Sequence, residues 1–222
     1  MKIGVIVAME RELQQIKSLF NSNEVIVRKC GIGKVNAALG AAELIAECRP
    51  DVVISSGCAG GNGTEIEVGD VVISTETCYH DVYCGLAEDG SCVYGQVQGM
   101  PARYAGSPML LAIADKMAAQ DGRSSRLHKG LIVTGDWFVD SREKMESIVN
   151  CFPEAKAVDM ESAAIAQTCY KMQVPFVSFR VISDIPLRDN NAAQYHDFWT
   201  MIADSSFHTT RQFIELLLRT GS

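Results

Sequence analysis

Four charged side chains could carry chemistry, and two of them, Glu12 and Arg180, occupy positions where an apolar residue would be expected. Glu12 falls within the helical stripe of Met9, Leu13, Ile16, Leu19 and Phe20, whereas at about 100° per residue Glu10 and Arg11 fall outside it. A carboxylate on a buried face points to chemistry more than to the helix-dipole role that suits Glu10. Glu161 opens the segment MESAAIAQTCYKM and shares a face with Ile165, Thr168 and Met172, so it either faces inward or stabilises a helix start together with Asp159. Arg180 interrupts VPFVSFRVIS, which places its guanidinium at a strand rim or buried against a carboxylate, Glu12 or Glu161. Asp184 ends that strand, and taken alone it reads as a turn or capping residue more readily than as a functional one.

Glycines flank these acids. GCAGGNG at 57–63, with Cys58, Ala59 and Gly60, could form an amide-lined turn for a hydroxyl or anion. GIGKVNAALG at 31–40 lacks the third glycine of a dinucleotide fingerprint, because Asn36 stands there and no acid ends the next strand. Walker, HExxH and GxSxG motifs are missing. Cys78, His80, Cys84 and Cys92 crowd one segment without a CxxC pair, so no metal is expected.

The elements that must position these groups alternate between apolar runs and helical-period segments, the pattern of an α/β sheet with covering helices. Strands are expected at 2–8, 24–29, 51–56, 70–75, 130–134 and 175–183, and helices at 9–20, 34–48, 108–120, 141–150, 160–172 and 193–218. In an open, mostly parallel sheet, ligands bind beyond the carboxyl ends of the strands. Glu12, the Asp136 of GDWF, Asp184 and two glycine turns would then share one rim. The stretch 76–106 is long and irregular, as functional loops and interfaces are.

The chain has 222 residues, 47% of them apolar, enough for a sizeable core in one domain spanning 1–222. Its 20 Lys plus Arg against 27 Asp plus Glu leave a net charge of -7, which repels nucleic acid. No apolar run approaches the roughly 20 residues of a membrane-spanning helix. MKIGVIVAMEREL does not read as a signal peptide, and eight cysteines without paired spacings suit a reducing, cytoplasmic setting.

Taken in order, MKIGVIVAMEREL, CGIGKVNAALG, SSGCAGG, GDWF, AVDMESAAIA and FRVISD closely resemble the 5′-methylthioadenosine/S-adenosylhomocysteine nucleosidases of the nucleoside phosphorylase superfamily, from residue 1 to about residue 200. The resemblance implies a three-layer α/β/α sandwich around a mixed, partly barrel-like sheet. It implies that Asp184 protonates or hydrogen-bonds adenine N7, oriented by Ser183, while Glu12 with Arg180 beside it positions and deprotonates water. Glu161 would accept the ribose hydroxyls, Met9 and Met160 would pack on the sugar, Phe138 would stack on adenine, and the Val139 backbone would read the base edge. Tyr195 would line the 5′-alkylthio pocket. The implied partners are a small adenine nucleoside and a second copy of the chain, with 76–106 at the interface and Pro101 lent to the neighbouring site. No metal or organic cofactor is implied.

This is the two-carboxylate logic of glycoside hydrolysis, with inversion at the anomeric carbon, and it requires burial to raise the pKa of Asp184. Cys58 stands where the family often has a serine, and a strand hairpin usual between the first helix and CGIGKV is not evident. The alternatives are a phosphate-dependent purine nucleoside phosphorylase, a catalytically inactive nucleoside-binding protein and, last, a dinucleotide-binding oxidoreductase.

Overall fold

A computed structural model describes residues 1–17, 20, 23–85, 92–120, 127–188 and 191–220. Its strands are β1 (Ile3–Val7), β2 (Val25–Lys29), β3 (Val52–Gly61), β4 (Val71–Tyr79), β5 (Tyr104–Ala105), β6 (Leu127–Thr134), β7 (Ala155–Asp159) and β8 (Phe176–Asp184). The helices are α1 (Glu10–Lys17), α2 (Lys34–Cys48), α3 (Pro108–Gln120), α4 (Arg142–Cys151), α5 (Ser162–Met172), α6 (Asn191–Asp197) and α7 (Ala203–Thr220).

The sheet is not open. Its order is β2-β1-β3-β7-β6-β4-β5, and β8 pairs with both β3 (parallel) and β4 (antiparallel), which closes β3, β7, β6, β4 and β8 into a five-strand ring. Each ring strand sends one apolar side chain into a shared cluster: Ala59, Val72, Ile132, Ala157 and Ile182. The barrel is therefore packed rather than hollow. β1 and β2 extend it in parallel from β3.

Strand alternation assigns the faces. Val5, Ile54, Val177, Phe179 and Val181 pack with α1, α3 and α7 on one side, whereas Ile6 and Val53 pack with α2 and α5 on the other. On β8 the residues between Val177, Phe179 and Val181 are Ser178 and Arg180, so the same alternation that buries those apolar side chains turns Arg180 to the opposite face.

The expected boundaries shift in several places: β4 runs on through Tyr79, into the stretch expected to be irregular from 76, and β6 starts three residues early at Leu127. The glycine run after DVVISS is not a separate turn but the continuation of β3 through Gly61. The short strands β5 and β7 go unread in the sequence, because two residues carry no period and AKAVD opens on low-propensity alanines and a lysine. The single helix expected at 193–218 is broken by a π-helical turn at Phe198–Ile202, which seats Phe198 in the core. The expected first helix ends at Lys17, with 18 and 19 outside the described residues; residues 21 and 22, where the missing hairpin bears, and 86–91 of the 76–106 stretch lie outside them too.

Candidate active site

β1, β3, β7 and β8 bring their C-terminal or rim residues to one cleft of about 120 Å³. Ala8, Met9 and Glu12 enter from β1 and α1, Cys58, Ala59 and Gly60 from β3, and Ser183 and Asp184 from the end of β8. Met160 and Glu161 come from the β7–α5 junction, Phe138 and Val139 from the loop after β6, and Tyr195 from α6. Glu12 and Asp184, which a two-carboxylate mechanism needs beside one sugar, open into the same cavity.

Glu12 is 1% exposed and held from three directions: its Oε2 accepts N–H from Ala8 and Met9, both at 2.9 Å, and its Oε1 accepts from Cys58 at 2.9 Å. Burial pushes its pKa up, against the pull of Arg180 and of these three amides. Gly57 makes the arrangement possible: a Cβ there would overlap the Arg180 guanidinium and lie 2.6 Å from Glu12 Oε1. Asp184 is buried, and desolvation lifts its pKa to about 6, partly opposed by the Ser183 hydroxyl that donates to it at 2.8 Å. Two carboxyls thus share one cavity in different environments. One accepts three amides beside a cation, and the other receives a single hydroxyl without a cation.

Glu161, buried just ahead of α5, accepts the Gly33 N–H at 3.0 Å. Burial raises its pKa to about 7, with Arg180 opposing and Asp159 reinforcing. It faces inward, but the shared face read from the sequence does not hold. Met172 is 39% exposed, and the buried face of α5 runs instead through Ser162, Ile165, Ala166 and Cys169. Phe138 and Tyr195 meet edge to face at 5.4 Å, and Tyr195 in turn meets Trp199 at 6.4 Å. The Tyr195 hydroxyl also approaches Met9 Sδ at 3.9 Å. Phe138 and Tyr195 thus give the cleft an aromatic wall, backed by Trp199.

The Phosphorylase superfamily model matches residues 2–215. A 5′-methylthioadenosine/S-adenosylhomocysteine nucleosidase of Anoxybacillus flavithermus is 38% identical over 98% of this chain and 98% of its own. The chain belongs to this nucleosidase family. The Neisseria meningitidis nucleosidase, crystallised with methylthio-immucillin-A, superposes with a TM-score of 0.86 at 36% identity, covering 96% of this chain and 98% of that one. The Colwellia psychrerythraea nucleosidase in complex with adenine does so at 0.85 and 32% identity, covering 98% and 96%.

Two residues singled out by the nucleosidase resemblance do not line the cavity. Pro101 lies half-buried elsewhere in its segment. Arg180, 1% exposed, sits one layer behind the wall, and its principal partner is neither acid expected from the sequence. Its Nε lies 2.7 Å from Asp159 Oδ2, whereas Glu161 stands 3.8 Å from Nη2. Burial opposes the guanidinium charge, yet Asp159, Glu161 and Glu12 together raise its pKa above the usual value. Asp159 has further donors: Thr134 Oγ1 donates at 2.6 Å and the Glu161 and Ser162 amides at 3.2–3.3 Å, so it also takes up free N–H groups at the start of α5. Nη2 of Arg180 donates to Ser55 Oγ at 2.8 Å.

Arg180→Met should therefore lower unfolding free energy by about 3–5 kcal/mol, because it leaves the buried Asp159 charge without its counter-ion. Arg28→Met, which breaks only an exposed pair with Glu47, should cost less than about 1 kcal/mol. Denaturant midpoints at neutral pH compare the two; equal losses would refute the assignment.

Ile32, Trp137, Val158 and Asp159 also line the cleft and were not singled out as site residues. Ile32 and Trp137 had a signal, since each is an apolar residue inside a glycine or aspartate turn, and each is about half exposed. Asp136, expected on the rim, lies outside the cleft and accepts the Lys34 N–H at 2.8 Å. Cys58 lines the cavity, but burial first and Glu12 second drive its thiol pKa well above the ordinary value, so the neutral thiol prevails and is a poor nucleophile. Among the described residues no three His, Cys, Asp or Glu side chains gather as a metal site, Cys78 and His80 included.

Proposed function

We propose that the chain hydrolyses the N-glycosidic bond of 5′-methylthioadenosine and S-adenosylhomocysteine, releasing adenine. The observation that carries this reading is that Glu12 and Asp184, held in different environments, line the same cavity with Glu161. Asp184 gives its proton to N7, so adenine leaves as a neutral base. Glu12 takes a proton from water attacking the anomeric carbon from the opposite face, with inversion. Glu161 accepts the ribose hydroxyls, Met9 and Met160 shield the sugar, Phe138 stacks on the base, the Val139 backbone reads its edge, and Tyr195 faces the 5′ substituent. Arg180 acts from behind, keeping Glu12 and Glu161 oriented.

A phosphorolytic reaction would need cations directed at phosphate. Among the described residues lining the cleft there is no Arg or Lys, and Arg180 is committed to Asp159. Purified protein should therefore release adenine from 5′-methylthioadenosine at the same rate with and without inorganic phosphate. Strict dependence on phosphate would make it a phosphorylase, and absence of turnover a binding protein.

The working unit is a homodimer in the cytoplasm, with the 76–106 segment at the interface and Pro101 reaching the neighbouring site. Exposed Tyr83, Val93 and Tyr94 in that segment, and Val35 and Leu39 on α2, support the interface. All eight cysteines are free thiols, in keeping with a reducing compartment. No described helix is long and apolar enough to cross a membrane.

A further inference from the structure

Behind the rim of the cleft, three loops are tied together by a charged cluster that the chemistry above does not use. Lys34, the first residue of α2, places Nζ 2.8 and 2.7 Å from the two carboxylate oxygens of Asp81 and 3.8 Å from Asp136. Its backbone N–H donates to Asp136 Oδ1, and the Asp136 N–H donates to Asp81 Oδ2, each at 2.8 Å. The chain just beyond β4, the start of α2 and the loop after β6 are thereby locked to one another. The fit is close, since a Cβ on Gly135 would overlap the His80 ring and lie 2.9 Å from Asp81 Cγ. His80 is buried and has no hydrogen-bond partner on either ring nitrogen, so it contributes packing rather than charge.

The cluster reaches both ends of a bound nucleoside. Asp136 is followed directly by Trp137, Phe138 and Val139, which line the base side of the cleft. Gly33, immediately before Lys34, donates its N–H to Glu161 on the sugar side. Trp137 and Phe138 are 54% and 53% exposed, so their placement depends on the loop backbone together with two surface contacts, Lys144 Nζ 4.4 Å from the Trp137 ring and Tyr195 against Phe138. The Lys34 and Asp81 side chains are only 23% and 26% exposed, which shields their contact from full solvent screening.

We propose that Asp81, Lys34 and Asp136 form a positioning clasp that sets nucleoside affinity by fixing the base-stacking loop against the ribose-binding Glu161. This inference rests on the nucleosidase reading and deepens it. The three residues do not touch the reacting atoms, so the clasp acts on binding and leaves the chemical step alone.

The two tryptophans, Trp137 and Trp199, line the cleft or abut Tyr195, so adenine binding can be read from intrinsic fluorescence without turnover. In Lys34→Met and Asp81→Asn, Kd for adenine and KM for 5′-methylthioadenosine should each rise about tenfold, while kcat stays within about threefold of wild type. Lys34→Arg keeps the charge and should retain most of the affinity, which a purely structural defect would not predict. Unchanged Kd and KM in Lys34→Met, or a loss confined to kcat, would overturn the clasp. Wild-type protein that neither bound adenine nor cleaved the nucleoside would overturn the functional reading and the clasp with it.

Discussion

Asp184→Asn is expected to lower kcat by about 10²–10⁴-fold while substrate still binds, because the amide keeps the shape of the neutral acid and cannot deliver a proton to N7. The pH dependence should bear the same signature. Desolvation places the Asp184 pKa near about 6 in the free protein, so the protonated, competent fraction is depleted above that pH. With Asp184 intact, kcat/KM should fall about tenfold per pH unit on the alkaline side. The Asn variant should lose that limb. A descending limb that survives the substitution would remove Asp184 from the role of acid.

Stability should move the other way. A carboxyl whose folded pKa lies above its unfolded value of 3.8 adds stability that is fully present below that value and lost as pH rises through about 6. The Asn variant carries no such penalty. Compared with wild type it should therefore gain in relative melting temperature from pH 4 to pH 7, even as activity disappears.

Glu12 and Arg180 were legible because each broke a periodic pattern, Glu12 in an apolar helical stripe and Arg180 in an apolar strand; Glu161 and Asp184 broke none and stood out only through the nucleosidase resemblance. What those patterns face was not legible. The partner of Arg180 is Asp159, at the end of a strand too short and too rich in alanine to announce itself, and the barrel closes only because β8 pairs with both β3 and β4, strands that begin 124 and 105 residues before it. Such pairings leave no local signature. The glycine run 57–61, expected as a turn, lines the cleft as part of β3. In β3 its small residues let Arg180 and Glu12 approach the backbone from one side, and a close approach of this kind has the same sequence signature as a bend. The aromatic wall is a further case, for Tyr195 reaches the cleft from a short helix set off by the π-helical turn, which a single 193–218 helix would not have foreseen.

Glu12→Gln should be the more damaging of the two acid substitutions. It removes the base that activates water, a loss of about 10²–10⁴-fold in kcat. It should also unsettle the fold, because all three groups bonded to the Glu12 carboxylate are backbone donors. An amide offers one acceptor oxygen where the carboxylate offered two. If that oxygen faces Ala8 and Met9, the NH₂ group confronts the Cys58 N–H; if it turns to Cys58, two amides lose their acceptor. Either orientation strands at least one buried donor, at about 1–3 kcal/mol. The opposing stability effects separate the two roles. Near pH 7 Asp184→Asn should hold or raise the melting temperature and Glu12→Gln should lower it, both being nearly inactive. Should Glu12→Gln prove as stable as wild type, the three-amide cradle would not be the feature that holds Glu12 at the sugar.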